Sequence, residues 1–389
     1  MAEDLPSANS SYLNGTFGGV FFPAYSLTEK GALVFTMACI SFLAIPGNCL
    51  VIYVISRVHN MKTSTNTLLL NLCIADLLIA AFYLPFVTVD LYITDHWIFG
   101  GFMCRIVSFS QSVGTKASIL ILTALSLERY LTVCKSNLVI VTARNTCIIC
   151  IVLWGVAIAF TLPLLIAKTT ISIEENEYCI ESWTSSHAII YTLVVLTLFY
   201  FVPLIVMTAL YAKIGKKLFR STRRTNSMRL SISSNKLTVT SKARLTKICV
   251  TIILSFALSW APTHILTLVY YFSEMTPESY TIVNMIIFPI VSCVAFSNCA
   301  LNPLLYCYMS QNFRNALKTE WKRLIRRKDD SFLARLPGVL TSLRVSQNQH
   351  LSASQMSSRV ELQGSRSRVN DRQCRSLDTS SITIFESAV

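Results

Sequence analysis

Four ionisable side chains stand inside stretches that are otherwise apolar: Asp76, Lys116, Glu128 and Arg129. A charge placed in hydrocarbon is costly unless a partner, an ion or a proton neutralises it, so each marks a place to look for function. Arg129 keeps its charge at any accessible pH, and Glu128 beside it can hold it. Asp76 needs a neutralising group, and Asn48, Ser118, Asn298 and Asn302 offer oxygens from other apolar runs. Lys116 could reach a ligand carboxylate or pair with neighbouring carbonyls. The five histidines are scattered, and no paired acid and base or His-rich metal cluster accompanies them. An enzyme is therefore not expected.

The elements that hold these groups follow from composition. The chain has 389 residues, 53% hydrophobic and only 14% charged, where a soluble protein carries about 25% charge. Apolar runs of this length and purity read as membrane-spanning helices. The spacing predicts seven, over Gly31–Ser56, Thr65–Tyr92, Cys104–Cys134, Asn145–Ala167, Ala188–Leu218, Lys242–Phe272 and Glu278–Tyr308. The path from Cys104 to Arg129 is roughly 38 Å of helix, close to the full thickness of a bilayer. The expected architecture is an all-α seven-helix bundle over 31–310, preceded by an arm over 1–30. No inverted repeat or broken half-helix of the transporter kind is visible.

Charge orients the bundle. The net charge is +14, yet its distribution follows membrane polarity rather than nucleic-acid binding. Acids are absent between Glu128 and Glu174 and between Glu181 and Glu274, where bases concentrate. By the positive-inside rule those loops and the C-terminal tail are cytoplasmic, and the N-terminus is extracellular. The outer segments then hold eleven acids (Glu3, Asp4, Glu29, Asp90, Asp95, Glu174, Glu175, Glu177, Glu181, Glu274, Glu278) against Lys30, Arg105 and Lys168. Such a mouth attracts cationic ligands. Of 13 cysteines, only Cys104 and Cys179 fall on the oxidising side, which predicts one disulfide between them. Asn9 and Asn14 begin glycosylation sequons on the same side.

Beyond the bundle, 311–327 has Phe313, Leu317, Trp321 and Leu324 on one face and bases on the other, the pattern of a helix lying on anionic lipid. From 328 to 389 the chain is rich in Ser, Arg and Gln without periodicity and is expected to be disordered, with phosphorylation sites. It ends in Glu386-Ser387-Ala388-Val389, where Ser387 and Val389 fit the pattern that PDZ domains capture.

In this order the chain carries Gly47-Asn48, Asn71-Leu72-Cys73-Ile74-Ala75-Asp76-Leu77, Glu128-Arg129-Tyr130, Trp154, Pro203 with Tyr211, Phe256-x-x-x-Trp260-x-Pro262, and Asn302-Pro303-Leu304-Leu305-Tyr306. Together with seven spans and the cysteine pair, these motifs resemble the rhodopsin-like G-protein-coupled receptors over about Gly31–Arg327. The resemblance implies a plasma-membrane receptor that passes a ligand signal to a heterotrimeric G protein, with receptor kinases and arrestin acting on the tail. It implies that Asp76, Ser118, Asn298 and Asn302 cradle an allosteric sodium ion, the only cofactor expected. Cys299 stands where many members carry serine. It implies a repacking switch of Ile119, Pro203, Phe256 and Trp260, a hinge at Pro262, and a meeting of Tyr211 with Tyr306. Glu128, Arg129 and Tyr130 would engage the G protein. Lys242 stands where some members place an acid that locks Arg129, so basal activity is expected.

The ligand class is narrowed by what is missing. Amine receptors place an Asp where Gln111 stands, and a retinal pigment needs a lysine that the seventh span lacks. Leu84-Pro85-Phe86, Trp97-x-Phe99-Gly100 and the acidic second outer loop resemble neuropeptide receptors, with wording similar to those for bombesin-like, thyrotropin-releasing-hormone-like and galanin-like peptides. A basic or amidated peptide is expected to meet Gln111, Thr115, His264, Thr267, Tyr270, Phe288 and Ser292, with Glu177 and Glu181 at the mouth. The alternative is a lipid or other non-amine small molecule on the same fold.

Overall fold

The computed structural model describes residues 16–17, 20–21, 25–135, 143–173, 175–227 and 233–333. The sequons at Asn9 and Asn14, the tail beyond Leu333 and the PDZ-like end at Ser387 and Val389 lie outside the described residues. By contacts the chain forms two units, Met1–Lys318 and Thr319–Val389. The first holds a short pairing of β1 (Thr16–Phe17) with β2 (Val20–Phe21), seven long helices and one hairpin.

The spans are α1 (Leu27–Arg57), α2 (Ser64–Thr94), α3 (Gly100–Cys134), α4 (Asn145–Ala167), α5 (Ser185–Ser221), α6 (Thr246–Phe272) and α7 (Glu278–Tyr308). Each is long and apolar enough to cross a bilayer, as the composition predicts. Between α4 and α5, β3 (Lys168–Ile173) and β4 (Asn176–Glu181) form an antiparallel hairpin. The final element, α8 (Gln311–Leu333), runs past Arg327, since neither proline nor glycine interrupts the chain before Pro337. Its first turn is fixed by Ser310, whose hydroxyl accepts from the Phe313 N–H at 3.2 Å.

Prolines shape the spans. The spacing predicts an interruption of the second span at Pro85; instead α2 stays continuous. A wide π turn, Leu78–Tyr83, absorbs the missing hydrogen bond just before that proline. The same device, Thr197–Phe201 and Val283–Ile287, precedes Pro203 and Pro289. A proline removes one backbone donor and crowds the preceding turn, and the wider turn relieves both.

α3 is the axis of the bundle. Over half of its most apolar window, 56%, is buried, against 22% for α4 and for α5. It packs on α2, α4, α5, α6 and the hairpin, while α7 packs between α1 and α6. Close approach fixes the register. A Cβ on Gly114 of α3 would stand 3.1 Å from the Ala75 carbonyl oxygen on α2, and one on Gly47 of α1 would stand 2.8 Å from Cγ of Pro303 on α7. Trp154 on α4 donates to Asn71 on α2 at 3.1 Å, so the motif positions Gly47, Asn71, Trp154 and Pro303 serve packing.

Candidate functional site

At one end of the bundle the hairpin lies across α3. Cys104 and Cys179 form a disulfide, with Cα atoms 5.6 Å apart. The backbone N–H of Trp97 donates to the Glu177 carbonyl at 2.7 Å, which fastens the α2–α3 turn to the same strand. That turn is tight: Gly100 has φ +75°, a conformation that side chains disfavour. Trp97 and Phe99 pack edge to face at 5.1 Å, and Phe99 meets Phe86 at 4.8 Å. The motif residues Trp97, Phe99 and Gly100 thus build a rigid shelf under β4.

Period-2 alternation puts Glu177, Cys179 and Glu181 on one face of β4. Both glutamates are exposed, but they differ in their partners. Glu181 sits opposite Lys168 in the hairpin register, 3.2 Å from its ammonium, and accepts from the Trp183 indole at 3.1 Å. None of the ion pairs among the described residues involves Glu177. Asp95 is paired with Lys30. Two of the three outer bases therefore neutralise acids of their own surface.

Below the hairpin the other expected ligand residues separate into groups. Gln111 and Thr115 are one turn apart on α3, with Gln111 Nε2 donating to Thr115 Oγ1 at 3.4 Å. His264 on α6 packs against Tyr200 on α5 at 4.4 Å between centroids, and against Trp260 at 6.3 Å. Thr267 spends its hydroxyl on the Thr263 carbonyl at 2.8 Å. Tyr270 shares a hydrogen bond with Tyr280, tying α6 to the start of α7. Ser292 is half-buried on α7, and Phe288 is 41% exposed. The structure brings His264 to the Trp260 cluster and leaves Tyr270 and Phe288 exposed.

At mid-depth the oxygens expected around Asp76 are all buried. Asp76, Ser118, Asn298 and Asn302 are each at most 3% exposed, and Asn48 is fully buried. Asn302 Nδ2 donates to Asp76 Oδ2 at 2.8 Å, and Asn48 Nδ2 donates to the Cys299 carbonyl at 2.9 Å. The opposite oxygens, Asp76 Oδ1, Asn48 Oδ1, Ser118 Oγ, Asn298 Oδ1 and Asn302 Oδ1, have no nitrogen or oxygen donor among the described residues, and the Cys299 thiol lies beside Asp76. Buried acceptors without donors are costly, and an all-oxygen set suits a hard cation. The residues present fit that ion. Above them Ile119, Phe256, Trp260 and Pro203 are buried, with Phe256 and Trp260 at 6.1 Å and Trp260 edge-on to Phe296 at 6.0 Å. Pro262 lies inside the unbroken helix Ser233–Phe272.

At the far end Arg129 is clamped. Its Nε reaches Glu128 Oε2 at 2.6 Å and its Nη2 reaches Glu128 Oε1 at 2.8 Å. Nη2 also donates to the Thr65 hydroxyl, which in turn donates to Glu128 Oε2 at 3.2 Å. Thr132 adds a hydrogen bond to Oε1 at 3.1 Å. Tyr130 points the other way, with the Lys213 ammonium 5.9 Å from its ring centroid. The Tyr306 hydroxyl is buried with no hydrogen-bond partner among the described residues, and the buried Tyr211 hydroxyl lies beside Ser126 and Cys249. A cleft lined by Val51, Thr65, Ile248, Cys249, Tyr306 and Phe313 opens between α1, α2, α6, α7 and the start of α8.

Sequence reasoning missed Thr65 and Thr132 as partners of the Glu128–Arg129 pair, because a threonine on a polar helix end carries no distinguishing signal. It also missed Lys168 and Trp183 at Glu181. The β-branched run Thr169, Thr170, Ile171 could have revealed the strand and, through its register, that pairing.

Residues 47–306 match the family described as 7 transmembrane receptor (rhodopsin family). The chain is 33% identical to the pyroglutamylated RF-amide peptide receptor of Mus musculus, over 76% of this chain and 71% of that one. It is 29% identical to neuropeptide FF receptor 2 of Mus musculus, over 71% of this chain and 69% of that one. Galanin receptor 2a of Danio rerio is 30% identical, over 74% of this chain and 76% of that one. The galanin-type likeness is among the sequence expectations; the RF-amide likeness is not. The fold, the motif geometry and these matches agree: the chain is a multi-pass plasma-membrane protein belonging to the rhodopsin family of seven-transmembrane receptors.

Proposed function

We propose that this receptor binds an extracellular neuropeptide, basic or amidated, at the hairpin end and signals to a heterotrimeric G protein at the Arg129 end. The observation that carries the reading is the hairpin itself. A disulfide holds it over the bundle, and its Glu177 is exposed and joins none of the ion pairs among the described residues, so it can meet a cationic partner. Relatives named for RF-amide, neuropeptide FF and galanin support the ligand class. The disulfide requires an oxidising compartment, which favours the hairpin end as extracellular. The bases Lys213, Lys216, Lys217, Arg244 and Lys247 cluster at the opposite ends of α5 and α6, as the positive-inside rule asks.

The ligand would contact Gln111, Thr115, His264, Thr267, Tyr270, Phe288 and Ser292 below Glu177, with Glu181 reached only by displacing Lys168. His264 joins that contact to Trp260 directly, so a ligand pressing on it biases Ile119, Pro203, Phe256 and Trp260. Pro262 lets α6 swing, since its missing hydrogen bond weakens the helix there. The ligand selects a pre-existing open state, in which Arg129 leaves Glu128 and Thr65, Tyr211 meets Tyr306, and a G protein inserts. The oxygens of Asp76, Asn48, Ser118, Asn298 and Asn302 would hold a sodium ion in the resting state. α8 would lie on anionic lipid, and the tail would meet receptor kinases, arrestin and a PDZ protein.

The test is a panel of RF-amide, galanin and other neuropeptides on cells expressing the full chain, read by calcium and cAMP. A response to a peptide that disappears with Arg129→Ala at equal surface expression supports the reading. A response confined to lipids or other small molecules removes the peptide class.

A further inference from the structure

Lys116 takes no part in the arrangements above, yet it is 3% exposed inside a membrane span. An ammonium carries three N–H donors. One reaches Ser112 Oγ at 2.5 Å, one turn back on α3, and a second reaches the Tyr191 hydroxyl on α5 at 3.4 Å. The rings of Tyr191 and Phe199 stand 5.7 and 5.8 Å from the nitrogen. These neighbours are all neutral, and none of the ion pairs among the described residues includes Lys116. Hydroxyls and ring faces offset the loss of water only in part. A carboxylate would supply the third hydrogen bond and the missing opposite charge together.

The surroundings say from which side it would come. Tyr191 donates its own hydroxyl to the Phe160 carbonyl at 3.1 Å, and its ring stacks on Trp183 at 5.0 Å. Trp183 in turn donates to Glu181 at the end of β4. A continuous line of side chains thus descends from the hairpin through Trp183 and Tyr191 to the buried amine. Tyr191 acts as its cover, held by one stacking contact and by hydrogen bonds that rotation of the ring would release.

We propose that Lys116 binds a carboxylate of the extracellular ligand, either an acidic side chain or a free C-terminus. The inference rests on the peptide-receptor reading and narrows it. The ligand carries a cationic group for the hairpin acids and a carboxylate at its deep end, so a C-terminal amide is not what this amine selects.

The probes are N-acetyl-Arg-Phe with a free carboxylate and the same dipeptide as its amide. They are titrated against the full-length receptor in phosphatidylcholine nanodiscs, with thermal unfolding as readout. The acid should half-saturate at a concentration about tenfold or more below the amide. In Lys116→Gln that ratio should fall to about one. Lys116→Met, which fills the same apolar space, provides the comparison if the Gln variant does not reach the membrane. Equal half-saturation in the wild type, absence of any shift with the acid, or a preference that survives in the variants would overturn the proposal. So would loss of the preference when phosphatidylserine is added to the discs, because lipid would then be the counter-ion. Binding of the amide alone sinks this inference and leaves the peptide reading standing; that reading falls only if the signalling panel responds to no peptide.

Discussion

Replacing Thr65 by Val keeps the side-chain volume close and removes the hydroxyl that both accepts from Arg129 and donates to Glu128. The Glu128–Arg129 pair has side-chain exposures of 10% and 8%, so solvent screens it weakly. A hydrogen bond to a charged group is worth about 1.5–3 kcal/mol. Two such bonds are lost, but they share one hydroxyl and the Glu128 pair survives, so the lower figure, about 1.5 kcal/mol, is the appropriate one. If the clamp exists only in the resting state, that loss moves the resting-to-open equilibrium by about tenfold toward the open form. Agonist-free nucleotide exchange on a panel of heterotrimeric G proteins, in membranes with matched receptor density, reads the change directly. Thr65→Val should raise basal exchange several-fold, and Thr65→Ser should leave it near wild type. Unchanged or reduced basal exchange in a well-expressed Thr65→Val receptor would mean that the hydroxyl does not distinguish the two states.

Other perturbations give separate readouts. Asp76→Asn should remove the effect of sodium on thermal stability and agonist affinity, while wild type should be stabilised as sodium rises; an unchanged sodium dependence means the five oxygens hold no ion. Cys179→Ala opens a crosslink spanning 75 residues, whose closure is worth up to about 4.5 kcal/mol in the chain-entropy account. Surface expression or ligand binding should fall, and normal values for both would contradict the role of the bridge. Gly114→Val should lower the unfolding temperature because its Cβ meets the Ala75 carbonyl and Ile79, at a cost of about 1–3 kcal/mol. Gly155→Ala, with nothing within 4 Å, should not. An epitope at the N-terminus should be reached by antibody on intact cells and one at the C-terminus only after permeabilisation; both on one side would reverse the proposed polarity.

The spans were readable because a bilayer demands about 20 apolar residues without relief, and no soluble core imposes that so uniformly. Their starts were less readable. The first helix begins at Leu27 rather than Gly31, although Ser26 and Glu29 form a capping box that announces it. The third begins at Gly100 rather than Cys104, where a left-handed glycine opens the helix. Asp76, Arg129, Trp260 and their neighbours were legible as single residues, since charge or bulk in an apolar run is conspicuous. Their partners were not. Thr65 meeting Arg129 across α2 and α3 depends on helix rotation, which periodicity does not fix for a segment apolar on all sides. The same holds for Tyr191 over Lys116. The pairing of Glu181 with Lys168 depends on strand register, and that is set by the hairpin as a whole.

In the proposed coupling, a peptide bound at the hairpin end opens the Arg129 end. Spin labels at Lys135→Cys and Arg244→Cys, both exposed positions, report the separation of α3 from α6 once the other free cysteines are replaced. Saturating the receptor with the most potent peptide from the panel should lengthen that distance and broaden its distribution, and Arg129→Ala should leave the peptide's affinity largely intact. A distance unchanged by a peptide that demonstrably binds would contradict the claim.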